Sequence, residues 1–379
     1  MLDYATLKLV WWVLIAALLV GFAVMDGHDM GVGALLPFVA RDDTERRVTV
    51  NTVGPHWDGN QVWLITAGGA IFAAWPMAYA AAFSGFYFAM MAVLAALVLR
   101  PAGFDFRSKV PDPRWRRAWD GALFVSGAVP PLVFGVAFGN LLLGVPFRID
   151  GSFQSTYSGS FFGLFSPFAL LAGVTSLAMI VFHGANYLVL KTEGAVRERA
   201  RTASLAAGAA AVLSFAAAGV WIATAIPGHI VLGGALPGGV PDPLRKTVGV
   251  VAGGWLHNFH DHPALWLLPI AAIASALAAM VAVRARRGGL AFLGSATFIA
   301  AILATVGASM FPFVMPSSIE PRSGLTLWDC TSSRLTLTWM FWAVVALLPP
   351  VLFYTAWAYR VMRGKVTAAF IRENETSTY

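Results

Sequence analysis

GNQVWLITAGGAIFAAWPMAYAAAFSGFYFAMMAVLAALVL, residues 59–99, runs for 41 positions between Asp58 and Arg100 without one formal charge. A helix needs roughly 20 apolar residues to cross the hydrocarbon of a bilayer. The run is twice that long, and Trp75-Pro76 near its middle supplies a natural turn, because proline cannot continue the hydrogen bonding of a preceding helix. It therefore reads as two membrane-spanning helices, 59–76 and 79–99. Similar apolar runs follow outward in both directions: 9–28, 121–143, 164–190, 203–226, 264–283, 290–314 and 335–359. The expectation is one all-α integral membrane domain over 1–379 with nine spans. The first run is expected to continue past Asp26 and Asp29 toward Pro37. It has only Lys8 as a basic leader and no small-residue cleavage site, so it reads as a retained span and not a signal peptide.

Composition agrees. Of 379 residues 58% are hydrophobic and 12% charged, against about 25% charged in an ordinary soluble domain. Mean hydropathy is +0.71. Nine spans leave no room for a large extramembrane catalytic domain. The single cysteine, Cys330, excludes internal disulfides, cysteine-rich metal sites and CxxCH haem attachment together. A net charge of +7 raises nucleic acid as a partner, but the basic residues fall in short clusters between the apolar runs, where membrane orientation explains them. Alternating nine spans puts 20 of the 26 Lys and Arg on one side (the groups at 41–47, 100–117, 191–201, 284–287 and 360–372) and six on the other. By the positive-inside rule the N-terminus is periplasmic and the C-terminus cytoplasmic. The six basic residues of 100–117, interleaved with Trp115 and Trp119, suit a lipid headgroup interface.

Ionisable residues inside a membrane are costly, and by default they are functional candidates. Asp26, His28 and Asp29 lie in MDGHDMGVG at the exit of the first span; His56 and Asp58 begin the second in PHWDGNQVWL. Both groups fall in the cytoplasmic half, where they can meet. Three carboxylates and two imidazoles there form a proton entrance or a cation site, or else they cap helix ends around tight turns. Asp58, nearest the apolar run, ranks first for function. His183 stands alone in the fifth span and reads as a hydrogen-bonded helix contact rather than a haem ligand. His257, His260, Asp261 and His262, in the long outer connection 227–263, read as a solvated loop rather than a metal cluster. Gly27 and Gly31, or Gly135 and Gly139, have the spacing that lets helices approach closely. A secondary transporter using the same acids would show matched halves, and no internal repeat is visible.

Longer motifs carry a specific resemblance. PHWDGNQVWLITAGGA (55–70), AAWPMAYAAAFSGFY (73–87), GFDFRSK (103–109), PPLVFGVAFGNLL (130–142), FPFVMPSS (311–318) and LTLWDCTSS (325–333) resemble subunit II of the cytochrome bd ubiquinol oxidases, over essentially the whole chain. The resemblance implies a terminal oxidase of the bacterial inner membrane that oxidises quinol on the periplasmic side. It reduces dioxygen to water with protons taken from the cytoplasm, building a proton-motive force. It further implies two four-helix bundles and one peripheral helix, and a haem-bearing subunit I that ligates two haems b and one haem d. A small single-span accessory subunit is usual, and some members bind a structural quinone. No metal ligand is expected in this chain. Asp58, in HWDGNQVW, matches the aspartate implicated in the family's proton route, with Asp29, Asp26 and His56 as its neighbours. The family often has an aromatic residue where this chain has His28.

Overall fold

The computed structural model describes residues 2–374, 378 and 379. α1 (Tyr4–Val39) is 36 residues long, about 54 Å at 1.5 Å per residue, so it passes through the hydrocarbon layer and projects beyond it. Asp3 starts it by accepting the Thr6 N–H at 2.8 Å. Asp26, His28 and Asp29 consequently lie within a continuous helix and not at its exit. The short polar α2 (Asp43–Asn51) is capped by Asp42. α3 (Trp57–Ala74) breaks at Trp75, as the proline foretells.

The chain does not double back there, however. Proline is well suited to the first turn of a helix, and Pro76 opens α4 (Pro76–Gly85), bent 119° from α3. The next long helix, α5, runs from Tyr87 to Arg107 instead of 79–99. α6 (Pro113–Leu143) leads to a small hairpin of β1 (Phe147–Ile149) and β2 (Ser155–Tyr157). α7 (Pro167–Lys191) and α8 (Gly194–Thr224) follow. The long connection then folds into an antiparallel pair, β3 (Pro227–Gly233) and β4 (Thr247–Ala252), and the short α9 (His257–Asp261). α10 (Leu267–Arg284), α11 (Gly288–Met310), the strands β5 (Phe313–Met315) and β6 (Leu325–Thr326), α12 (Arg334–Val361) and α13 (Ala368–Glu373) complete the chain. Among the described residues eight helices are long and apolar enough to cross a membrane, or up to nine if the bent pair α3 and α4 counts as one span.

Polar connections gather at two ends of the molecule. At one, Tyr4 donates to the Ser332 carbonyl at 2.7 Å, and the buried Lys8 ammonium donates to the Trp328 carbonyl at 2.6 Å and the Gly239 carbonyl at 3.2 Å. At the other, basic end, Arg107 donates to Asp120 at 2.6 Å and to Asp43 at 2.9 Å, and Arg46 adds a bond to Asp120 at 2.8 Å. Arg199 grips Glu45 through two nitrogens at 2.7 and 2.8 Å, fastening α8 to α2.

α1 packs against α3, α6, α7, α11 and α12. Such contact from all sides requires small residues. A Cβ on Gly31 would stand 2.2 Å from the Ile180 carbonyl oxygen of α7, and one on Gly127 of α6 would stand 2.3 Å from the Met30 oxygen. On α6, Gly135 and Gly139 do the same toward Ala172 and Ala169 of α7. Both small-residue pairs thus serve packing within the chain.

Two outcomes follow. Gly184→Ala, whose Cβ would lie 2.4 Å from the Gly31 carbonyl carbon, should destabilise the fold by about 1–3 kcal/mol, read as a lower thermal midpoint of the detergent-purified complex. Gly121→Ala, with open space around it, should leave the midpoint unchanged or slightly raised. The Arg199 hydrogen bonds hold the Glu45 carboxyl down at about 2 from its ordinary 4.5. A lowered folded value means this tie is fully present above about pH 4.5 and fades as pH falls toward 2. Glu45→Gln should therefore cost about 1 kcal/mol equally at pH 6 and pH 8, with the gap to the parent narrowing below about pH 4.5; a gap that changes between pH 6 and 8 contradicts the assignment.

Candidate functional site

One turn of α1 carries Asp26, His28 and Asp29, and all three are buried. Each meets a different neighbour. The Asp26 carboxylate accepts a short hydrogen bond from the Arg100 guanidinium of α5, and both side chains are almost inaccessible. Arg100 looks in the sequence like a loop cation at the membrane edge. It is instead the internal counter-ion of Asp26.

Asp29 faces the start of α3. The Asn60 amide donates one hydrogen to Asp29 Oδ2 at 2.8 Å and the other to His56 Nδ1 at 3.1 Å. Its oxygen accepts the Tyr359 hydroxyl of α12 at 2.8 Å. His56 Nε2 lies 2.7 Å from the Tyr187 hydroxyl of α7, and that hydroxyl donates to the Thr52 carbonyl at 3.2 Å. With its only proton so committed, Tyr187 accepts from His56, whose Nε2 is therefore the protonated nitrogen and Nδ1 the lone pair. His28 Nδ1 sits 3.1 Å from the Val24 carbonyl, an acceptor, so the proton of neutral His28 is on Nδ1 and the Nε2 lone pair points 3.3 Å from Asp29 Oδ1. His56 Nδ1 is 3.7 Å from the same oxygen. Among the described residues Asp26 Oδ2, His28 Nε2 and Asp29 Oδ1 have no hydrogen-bond partner.

Four helices and the residue before α3 thus converge: α1 with the acids and His28, α3 with Asn60, α7 with Tyr187 and α12 with Tyr359. A small cavity of about 10 Å³, close to the room one water centre needs, adjoins Asp29 and Arg100, with Val50, Val53, Phe104 and Ser126 around it.

Of the four acids and imidazoles expected to work together, Asp29 and His56 meet directly, Asp26 stands beside them on α1, and Asp58 does not join them. Asp58 is exposed on this chain, not buried. The reason is helix phase. Asn60, Ala67 and Ala74 form the buried stripe of α3, and a step of two residues rotates about 200°, so Asp58 lies on the outward stripe with Val62, Ile65 and Phe72, which are 51%, 68% and 59% exposed. Asn60, Tyr187 and Tyr359 were not singled out from the sequence. A polar pair, Asn60-Gln61, at the entry of an apolar run was the available signal for the first; nothing local marks the two tyrosines.

His183 is a helix contact, held by Ser295 at 2.8 Å and the Val24 carbonyl at 3.0 Å and stacked on Phe292. In the outer connection His257 lies 3.3 Å from Asp261, with both side chains more than half exposed.

A bundle of helices of membrane-crossing length with ionisable side chains tied together in its interior defines a polytopic membrane protein. The comparisons supply the family. Residues 7–362 match the model of cytochrome bd terminal oxidase subunit II. Over 379 residues, covering all of both chains, the sequence is 50% identical to cytochrome bd-I ubiquinol oxidase subunit 2 of Escherichia coli K12 and 51% identical to probable cytochrome oxidase subunit 2 of Haemophilus influenzae. A chain of the bd oxidase structure from Geobacillus thermodenitrificans superposes with a TM-score of 0.71 at 15% identity, covering 94% of this chain and 98% of that one, which shows a shared fold. The chain belongs to the cytochrome bd terminal oxidase subunit II family. That membership implies a quinol oxidase complex of the respiratory chain, with haem cofactors and a subunit I, in the bacterial inner membrane.

Among the described residues, the cavity large enough to raise the question of a haem offers it no ligand. A cavity of about 430 Å³ lies between α6, α7, α8, α10 and α11, but its walls are apolar, among them Phe138, Phe168, Phe215 and Trp266, and no His, Cys or Tyr lines it. Those are the residues that ordinarily ligate haem iron, alone or beside methionine. His183, an imidazole in mid-helix packed on α11, has both nitrogens engaged by protein groups.

The Asp26–Arg100 pair yields a stability test. Removing one partner leaves an uncompensated charge in an apolar interior, so Asp26→Asn and Arg100→Gln should each cost about 3–5 kcal/mol. The double variant should be less damaging than the sum, by at least about 1 kcal/mol, in thermal unfolding of the purified complex. Additive losses contradict a direct pair.

Proposed function

We propose that this chain is the non-haem-ligating subunit of a cytochrome bd-type quinol:dioxygen oxidoreductase and lines part of its cytoplasmic proton route. In this reading the basic end faces the cytoplasm, with the N-terminus periplasmic, as the 20 to 6 division of Lys and Arg requires. α1, α3, α5 and α6 make one four-helix bundle, α7, α8, α10 and α11 the other, and α12 is peripheral. Subunit I carries two haems b and the haem d and oxidises quinol on the periplasmic side; a single-span accessory subunit completes the complex.

The observation that carries the proton role is the hydrogen-bonded series Tyr359, Asn60, Asp29 and His56, Tyr187, buried toward the basic end. A carboxylate with two imidazoles 3.3 and 3.7 Å from its oxygen is a set of groups that accept and release a proton by small side-chain movements. Charge need not be carried through lipid, since each donor has its acceptor inside the protein. Asp26 and Arg100 hold a fixed pair beside the path.

Asp58 takes a different place in this scheme. An exposed carboxylate on an apolar helix face cannot stay bare to lipid without large cost, so the α3 stripe of Val62, Ile65 and Phe72 is the face that subunit I covers, and Asp58 belongs to a route opened between the subunits. The large apolar cavity suits the isoprenoid tail of a structurally bound quinone, since such sites are concave, mostly apolar and within this size range.

Asp29→Asn should reduce quinol-driven oxygen consumption at least about tenfold while leaving the reduced-minus-oxidised haem spectrum of the purified complex unchanged. Unaltered turnover with intact haems would leave Asp29 a purely structural residue. Asp58→Asn, measured in the same way, separates an intersubunit route from an internal one.

A further inference from the structure

We propose that His28, Asp29 and His56 form a binding site for one divalent transition-metal ion, of which zinc is the type. Three ligand atoms, His28 Nε2, Asp29 Oδ1 and His56 Nδ1, all lie within 4.8 Å of one another, and all three residues are buried. Two nitrogens and an oxygen around a tetrahedral zinc, each at 2.0–2.2 Å, stand roughly 3.3 Å apart. The closest two are already 3.3 Å apart and the next two 3.7 Å.

The hydrogen-bond inventory points the same way. The Val24 carbonyl fixes His28 as the Nδ1–H tautomer, and Tyr187 fixes His56 as the Nε2–H tautomer. His28 therefore turns its Nε2 lone pair toward Asp29 Oδ1, and the Nδ1 lone pair of His56, which accepts from Asn60, lies 3.7 Å from the same oxygen. This is the arrangement in which metal-binding histidines are found, the far ring nitrogen donating to a carbonyl or hydroxyl so that the near one can ligate. Among the described residues neither His28 Nε2 nor Asp29 Oδ1 has a hydrogen-bond partner. When Asp29 is ionised these acceptors repel, and a cation between them removes the repulsion. Among the described residues no lysine or arginine bonds Asp29; its nearest ion-pair partners are these two imidazoles.

On the remaining side, Asn60 donates to His56 Nδ1 at 3.1 Å and to Asp29 Oδ2 at 2.8 Å. A metal would take Nδ1 from it and leave the second bond in place, which keeps the carboxylate oriented. Two imidazoles with one carboxylate suit zinc and its neighbours in preference to magnesium or calcium, which favour all-oxygen shells. A water is the natural fourth ligand, beside the cavity at Asp29. The site shares Asp29 and His56 with the proposed proton route, but it rests on ligand geometry and hydrogen bonding and not on that reading.

The test uses the intact complex, incubated with a small molar excess of zinc sulfate, desalted, and assayed for zinc by mass spectrometry and by X-ray absorption at the zinc edge, which haem iron does not obscure. The expected result is one retained zinc per complex with two imidazole nitrogens and one or two oxygens at about 2.0–2.2 Å. His28→Phe should lose at least nine-tenths of it with haem spectra unchanged. A variant with alanine at His257, His260 and His262 should keep it. Zinc absent from the parent, which is the result if a shared proton alone joins His28 to Asp29, overturns the proposal. So does zinc held equally by His28→Phe, or lost only from the outer-loop variant.

Discussion

Two glycines facing each other, Gly31 on α1 and Gly184 on α7, set the distance on which the interior depends. A methyl on either would lie within 2.4 Å of backbone atoms of the opposite helix. Because the backbones touch there, residues one turn to either side are brought into the same small volume: His28 and Asp29 on α1, His183 and Tyr187 on α7. Lipid supplies no hydrogen bonds, so these polar groups must find their partners within the protein. The close approach makes a polar cluster possible, and the apolar surroundings make its internal bonding obligatory.

The rest of the site follows from helix phase. α3 turns Asn60 inward to bridge Asp29 and His56, and the same rotation turns Asp58 outward. α5 delivers Arg100 to Asp26 from the other side. The two acids of α1, three residues apart, therefore differ in kind: one is neutralised by a guanidinium, the other faces imidazoles and an amide. In the proposed scheme the bound charge pair holds the structure, and the less constrained carboxylate beside it exchanges a proton or ion.

Much of this was readable in the sequence because membranes impose simple rules. Long uncharged runs located the helices, and the scarcity of charge singled out Asp26, His28, Asp29 and His56. Asp58 shows where that reasoning ends: its sequence neighbours place it at the mouth of a span, but only the rotation of α3 decides which way it faces. Arg100 was misjudged for a related reason, since a cation at the edge of an apolar run looks the same whether it snorkels to water or turns inward to a carboxylate. The third span began at Tyr87 and not near 79 because Pro76, which ends one helix, also starts another. Tyr187 and Tyr359 were invisible, as their roles arise from contacts across more than a hundred residues.

The central claim is that protons bound for dioxygen chemistry pass through the cluster around Asp29. The most direct measurement is the charge displacement across proteoliposome membranes when the reduced oxidase reacts with oxygen in a single turnover, compared between the parent complex and Asn60→Leu. The account requires the voltage-generating phase to slow by an order of magnitude or more while the haem absorbance changes that precede it keep their rate. A voltage phase of unchanged rate and amplitude in Asn60→Leu would contradict it.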